Sequence, residues 1–157
     1  MLYAIGLDAV EISRFTLWHT FSQVRLLRIF SEREIAYCLS VRSKSAERFA
    51  VRFAAREALF KACFQAGFFN TIPVPFLRFC RYVEVIRPQQ GSPYLQIAWD
   101  KIVEWNKIGE KSIACHDNQI FTQDNQIAID ILLSLTHTQT TAIAFVLIQK
   151  SIAQWDK

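Results

Sequence analysis

The stretch VRFAAREALFKACF, residues 51–64, constrains this chain more than any other. Its pattern is that of a long helix, predicted over roughly residues 44–66. On a wheel of roughly 100° per residue with Phe53 at zero, Phe49 and Phe60 lie at about −40° and −20°, and Phe64 at about +20°. That stripe has to be buried against something. Glu57 falls at about +40°, inside the stripe, and Lys61 at about +80°, at its edge. A surface helix normally keeps its charges on the opposite face. A buried carboxylate is costly unless it is paired or holds a metal. Two readings are open. Glu57 and Lys61 are spaced i,i+4 in the favourable order, a pairing that contributes about 0.2–0.5 kcal/mol to many ordinary helices. Alternatively, Glu57 serves a metal or a reaction.

The rest of the chain is predicted as follows. Residues 2–12, LYAIGLDAVEI, read as a strand with Asp8 within it or at its end. Residues 14–28 carry a loose helical pattern. Ser31 followed by Glu34 is a capping box, which predicts a short helix running to Cys38 or Leu39. Pro73 and Pro75 mark a loop. RYVEVIR (81–87) and YLQIAW (94–99) alternate as two strands of a hairpin turned by PQQGSP, and 100–108 read as a short helix ending near Gly109. Residues 110–126 are polar and weakly patterned, which predicts a loop or inserted segment. IAIDILLSL (127–135) and TAIAFVLI (141–148) read as two buried strands joined by THTQT. The order gives an α+β arrangement in one domain spanning 1–157.

Asp8 poses the same question as Glu57, a carboxylate in an otherwise apolar element. Two such carboxylates, one on a strand and one on a helix, could share a cation. Oxygen ligands without histidine or thiolate favour Mg²⁺ or Mn²⁺ over zinc. There is no phosphate-binding glycine loop of either common type, so a phosphorylated ligand would be held by cations, side chains and a metal. The formal net charge of +4 favours an anionic partner without selecting one. Four scattered cysteines with no paired or metal spacing, and an N-terminus without a basic leader, point to a cytoplasmic protein. No apolar run is long enough to span a bilayer. The 13 Phe, 4 Trp and 4 Tyr exceed what one modest core needs, which suggests a subunit interface.

GLDAVEISR (6–14), FSERE (30–34), ERFAVRFAAREALFKA (47–62), GSPYL (91–95) and SLTHT (134–138) occur in the order and context of the holo-acyl-carrier-protein synthases. In these motifs the chain resembles that family of small 4′-phosphopantetheinyl transferases. The resemblance implies a 4′-phosphopantetheinyl transferase-like fold, an antiparallel sheet packed on a long helix and forming a homotrimer with clefts between subunits. It implies transfer of 4′-phosphopantetheine from coenzyme A to a serine of apo-acyl carrier protein, in fatty acid biosynthesis, with release of adenosine 3′,5′-bisphosphate and a requirement for Mg²⁺. Neither nucleic acid nor membrane is an implied partner.

Carried over residue by residue, the metal ligands correspond to Asp8 and Glu57, the motif lysine to Lys61 and the motif histidine to His137. The catalytic candidates are Glu57, with a metal-bound water as the alternative base, and Lys61. Arg52, Lys61 and His137 fall to coenzyme A. The region of Arg14, Arg25 and Arg28 would dock the acidic carrier protein. Lys61 could stabilise or protonate the departing phosphate, or simply pair with Glu57. Arg48, Arg52 and Arg56 form an i,i+4 row of like charges that calls for an anion, either the 3′-phosphate of coenzyme A or local acids such as Glu47. Two departures stand out. The family's usual lysine before the motif glutamate is Arg56 here, and Phe64 and Ala66 replace glycines usual after KA. Two rivals remain at this stage. One is a basic nucleic-acid-binding module centred on residues 42–56, which leaves Asp8 and Glu57 unexplained. The other is an inactive trimeric scaffold, suggested by the altered KACFQAG segment.

Overall fold

The computed structural model describes residues 2–69, 74–106, 114–116, 119–121 and 127–152. The elements run β1 (Leu2–Glu11), 3-10 turns at Ile12–Phe15 and Trp18–Thr20, α1 (Gln23–Leu26), α2 (Glu32–Leu39), a 3-10 turn at Arg42–Lys44, and α3 (Ser45–Gln65). They continue with α4 (Phe76–Cys80), β2 (Val83–Ile86), β3 (Tyr94–Ile97), α5 (Trp99–Asn106), β4 (Ala114–His116), β5 (Gln119–Phe121), β6 (Ile127–His137) and β7 (Thr141–Ile152). β1, β7, β6, β5 and β4 form, in that order, an antiparallel sheet, and β2 pairs with β3 in a separate hairpin.

The long helix lies across the sheet, meeting β1, β7 and β6. Its alanines make that possible. Ala50, Ala54, Ala58 and Ala62 recur every four residues and are fully buried, a small-residue face flanking the phenylalanine stripe. Gly6 in β1 meets it. A Cβ on Gly6 would stand 1.8 Å from the Ala58 carbonyl oxygen and 2.9 Å from the Ala62 nitrogen. Only glycine permits this approach, and it brings the next inward residue of β1, Asp8, against the helix. The phenylalanine face packs into an aromatic cluster, where Phe53 lies 5.5 Å from Phe15 and 5.6 Å from Phe76, and Phe60 lies 5.2 Å from Phe79. The helix ends where Gly67 adopts φ 79°. There Phe68 N–H donates to Cys63 O at 3.0 Å and Gly67 N–H to Phe64 O at 3.0 Å, the left-handed glycine termination of many helices.

The capping box is present as read. Ser31 Oγ accepts from the Glu34 N–H and Glu34 Oε2 from the Ser31 N–H, and the helix it starts ends at Leu39. The hairpin strands, though shorter than read, also stand where expected. Two readings need correction. The loosely helical 14–28 is two 3-10 turns and one α turn, because its aromatics wrap around Phe49 and Phe53 and do not follow one helical face. The segment 110–126 contributes β4 and β5, which extend the main sheet. The loop expected at Pro73 and Pro75 stands at Val74 and Pro75, the latter capping α4, while Pro73 lies outside the described residues. The reading of a helix end near Gly109 lies outside the described residues.

β6 and β7 were read as buried strands, but one face of the sheet is open. Ala142, Ala144, Val146 and Ile148 face α3 and are buried. The opposite face presents Ile5, Leu7, Leu132 and Phe145 to solvent.

Candidate active site

Asp8 and Glu57 meet at the seam between β1 and α3. Asp8 is 7 % exposed. Its Oδ1 accepts a hydrogen bond from Lys61 Nζ at 2.7 Å, and the same ammonium donates to Leu7 O at 3.2 Å. Asp8 Oδ2 is buried with no hydrogen-bond partner. The Glu57 carboxyl lies close enough to Asp8 to feel its charge. Burial first, and then the neighbouring Asp8 carboxylate, push the Glu57 pKa up from 4.5 to about 6, against the smaller pull of Lys61 and Arg14. Lys61 therefore pairs with Asp8 from the strand, where the sequence suggested Glu57 one turn away.

This donor set suits a hard cation. Two carboxylates converge, one oxygen is orphaned and buried, and like charges push against each other, a conflict that a divalent ion between them would relieve. Among the described residues no group of three or more His, Cys, Asp or Glu side chains comes together. A two-carboxylate site of this kind leaves the remaining positions to water and substrate oxygens, as Mg²⁺ commonly requires.

The three arginines of the helix row have separate fates. Arg56 is fully buried. Its guanidinium forks onto both oxygens of Glu34, with the bond to Oε1 at 3.0 Å, and also donates to Val83 O at 2.6 Å. Arg48 donates to Tyr37 O at 2.6 Å and Ser40 Oγ at 2.7 Å, closing the C-terminal end of α2. Arg52 is 6 % exposed and stands 3.8 Å from Glu34. Its Nε is buried without a hydrogen-bond partner. Arg52 and Arg56 are thus withdrawn from the surface of residues 42–56, whereas Arg42 and Lys44 are exposed. Glu47 pairs with His137, its Oε1 3.3 Å from Nε2.

Arg48, Arg52 and His137 line a cleft of about 310 Å³ together with Tyr37, Glu47 and Arg87. Gly91 and Pro93 of the GSPYL motif form part of its wall. Elsewhere on the surface, Trp18, Phe21, Arg25, Arg28 and Leu77 enclose a second hollow of about 200 Å³. Arg25 stacks over the Phe21 ring at 3.7 Å. Arg14 lies near enough to Glu57 to lower its pKa.

Residues 4–131 match the model of the ACPS family, described as the 4′-phosphopantetheinyl transferase superfamily. The chain belongs to the 4′-phosphopantetheinyl transferase superfamily. Solved structures of the same fold include a Chronobacterium ammoniagenes ACPS–CoA complex, at 24% identity and TM-score 0.66, covering 94% of this chain and 97% of that one. A Bacillus anthracis holo-(acyl-carrier-protein) synthase in complex with CoA (3′,5′-ADP) matches at 25% identity and TM-score 0.58, covering 94% and 96%. The acyl carrier protein synthase of Mycobacterium tuberculosis matches at 22% identity and TM-score 0.59, covering 96% and 100%. No curated protein sequence matches significantly.

In this phosphopantetheinyl transferase, Asp8, Glu57 and Lys61 stand together, and Arg52 stands with His137 in the cleft. The two groups lie on different flanks of α3, since Glu57 and Arg52 are about 140° apart around the helix. Arg14 is on the Asp8 side, and Arg25 and Arg28 border the second hollow. Sequence reasoning missed Tyr37 and Arg87. Tyr37 precedes Cys38 in a helix read only for its cap, and Arg87 follows a strand read only for its alternation. It also took Glu34 for a cap alone, whereas the same carboxylate anchors Arg56 and accepts the Val85 N–H at 3.0 Å.

Proposed function

We propose that this transferase moves 4′-phosphopantetheine from coenzyme A to a serine hydroxyl of apo-acyl carrier protein and releases adenosine 3′,5′-bisphosphate, with Mg²⁺ held by Asp8 and Glu57. The observation that carries the reading is the convergence of Asp8, Glu57 and Lys61 around one orphaned carboxylate oxygen. A divalent ion there supplies charge neutralisation and orientation of the pyrophosphate. Lys61 spends two of its three ammonium protons on Asp8 Oδ1 and Leu7 O, and the third can meet the departing phosphate oxygen. Glu57 is the carboxylate placed to take the serine proton, directly or through one water.

Coenzyme A carries one phosphomonoester, on its ribose. The cleft of Arg52 and His137, which Arg48 and Arg87 also line, has the guanidinium charge to receive it. Because this cleft and the carboxylate pair lie on different flanks of α3, a site shared between copies of the chain is the arrangement we favour. The open apolar face of the sheet offers the contact for a homotrimer. The hollow beside Arg25 and Arg28, with Val24, Leu17 and Leu77 exposed nearby, suits an acidic carrier that also buries apolar side chains. Cys38, Cys63 and Cys80 are free and buried, in keeping with the reducing cytoplasm as its place of action. No helix among the described residues is long and apolar enough to cross a membrane.

The test is incubation of the protein with an apo-acyl carrier protein and coenzyme A, with Mg²⁺ and with a chelator. A carrier mass gain of one phosphopantetheine that the chelator blocks supports the proposal. No gain, together with a mobility shift of an added oligonucleotide, would favour the basic binding module.

A further inference from the structure

Tyr37 lines the arginine cleft and has no place in the chemistry above. Its ring carries two guanidiniums, Arg48 at 4.2 Å and Arg52 at 4.3 Å from its centroid. Its hydroxyl accepts a hydrogen bond from Arg87 Nη1 at 2.8 Å. Three cations from two elements, α3 and the residue following β2, are thus organised by one half-buried phenol. Arg48 is fixed independently by Tyr37 O and Ser40 Oγ, and Arg52 is buried. Arg87 is exposed, and the Tyr37 hydroxyl is the hydrogen-bond partner the structure gives it. Left alone, a long exposed arginine spreads over many rotamers, and ordering it costs side-chain entropy.

We infer that Tyr37 is a positioning residue: through its hydroxyl it pre-orders Arg87 toward the cleft, so that Arg87 joins Arg52 and His137 in discriminating a coenzyme that bears a phosphomonoester from one that lacks it. This rests on the proposed function. It goes further in assigning the discrimination to a neutral side chain that never touches the reacting atoms. The cleft itself supports the role. Its acid, Glu47, is engaged with His137 at 3.3 Å, so Arg87 is held by a neutral phenol and keeps its full charge for an anion. A phenol is a weaker competitor for a guanidinium than a carboxylate would be.

The experiment measures kcat and KM of the full chain for coenzyme A and for dephospho-coenzyme A, in the wild type, Tyr37→Phe, Arg87→Ala and the double variant. Tyr37→Phe keeps the ring under Arg48 and Arg52 and removes only the hydroxyl. The expected result is a KM for coenzyme A raised roughly three- to tenfold, with kcat and the KM for dephospho-coenzyme A unchanged. Arg87→Ala should do the same or more, and adding Tyr37→Phe to it should change nothing further, because the phenol acts only through Arg87. Equal losses with both coenzymes, or additive losses in the double variant, would overturn the role of Tyr37 and leave the proposed function standing. A wild type that transfers from neither coenzyme would overturn both.

Discussion

Glu57 is held at the seam of a strand and a helix with Asp8 beside it, and that position has consequences for stability as well as for catalysis. Its pKa is raised to about 6 from 4.5, so in the metal-free protein the fold favours the protonated form. The folded state therefore binds more protons than the unfolded state between those values, and stability falls as pH rises through the window. Replacing Glu57 by Gln should make the metal-free protein more resistant to heat at pH 7 to 8 and leave it unchanged near pH 4. Thermal unfolding at the two pH values checks this. Mg²⁺ should raise the melting temperature of the wild type at pH 7.5 by mass action and have no such effect on the variant. Asp8 and Glu57 were both visible in the sequence, because each is a charge placed where the apolar pattern has no room for one. The true partner of Lys61 was not visible. Helical spacing offers Glu57, and only the packing of β1 on α3 brings Asp8 to 2.7 Å.

At the scale of elements, the contact between β1 and α3 holds the site in register, and Gly6 is its narrowest point. Gly6→Ala forces a methyl against backbone atoms of Ala58 and Ala62, which cannot swing aside as a side chain could. The expected loss is about 1–3 kcal/mol in denaturant unfolding. Activity should also fall, because Asp8 moves with its strand. The second tie is Glu34, which caps α2, pairs with Arg56 of α3 and accepts from Val85 in β2. Glu34→Gln would strand a fully buried guanidinium and should cost about 3–5 kcal/mol. Here the departure from the family's lysine has a use, since a guanidinium fork reaches both Glu34 oxygens and Val83 O at once. The long helix and the α2 cap were legible because each carries many consistent local signals. α4, β4 and β5 were not. Each is five residues or fewer, too short for a period to emerge, and β4 and β5 owe their place to pairing in the sheet rather than to their polar surroundings.

For the whole molecule, α3 covers one face of the sheet at β1, β7 and β6, and the other face carries Ile5, Leu7, Leu132 and Phe145 in the open. A patch of that kind is expected to be covered. Sedimentation equilibrium should give three copies, and Leu132→Lys should shift the distribution toward single chains. The same variant should lose transfer activity if coenzyme A spans two copies, and keep it if one copy holds a complete site. The sequence hinted at this interface through its surplus of aromatic residues, but those rings belong mostly to the inner cluster around α3, and the open face is largely aliphatic. The measurement that bears most directly on the account is the intact mass of an apo-acyl carrier protein after incubation with coenzyme A and Mg²⁺, using the wild type and folded Glu57→Gln side by side. The account predicts a gain of one phosphopantetheine with the wild type and at least a hundredfold slower gain with the variant, roughly the contribution of one acid–base group. Equal gains with both proteins, or none with the wild type, would contradict it.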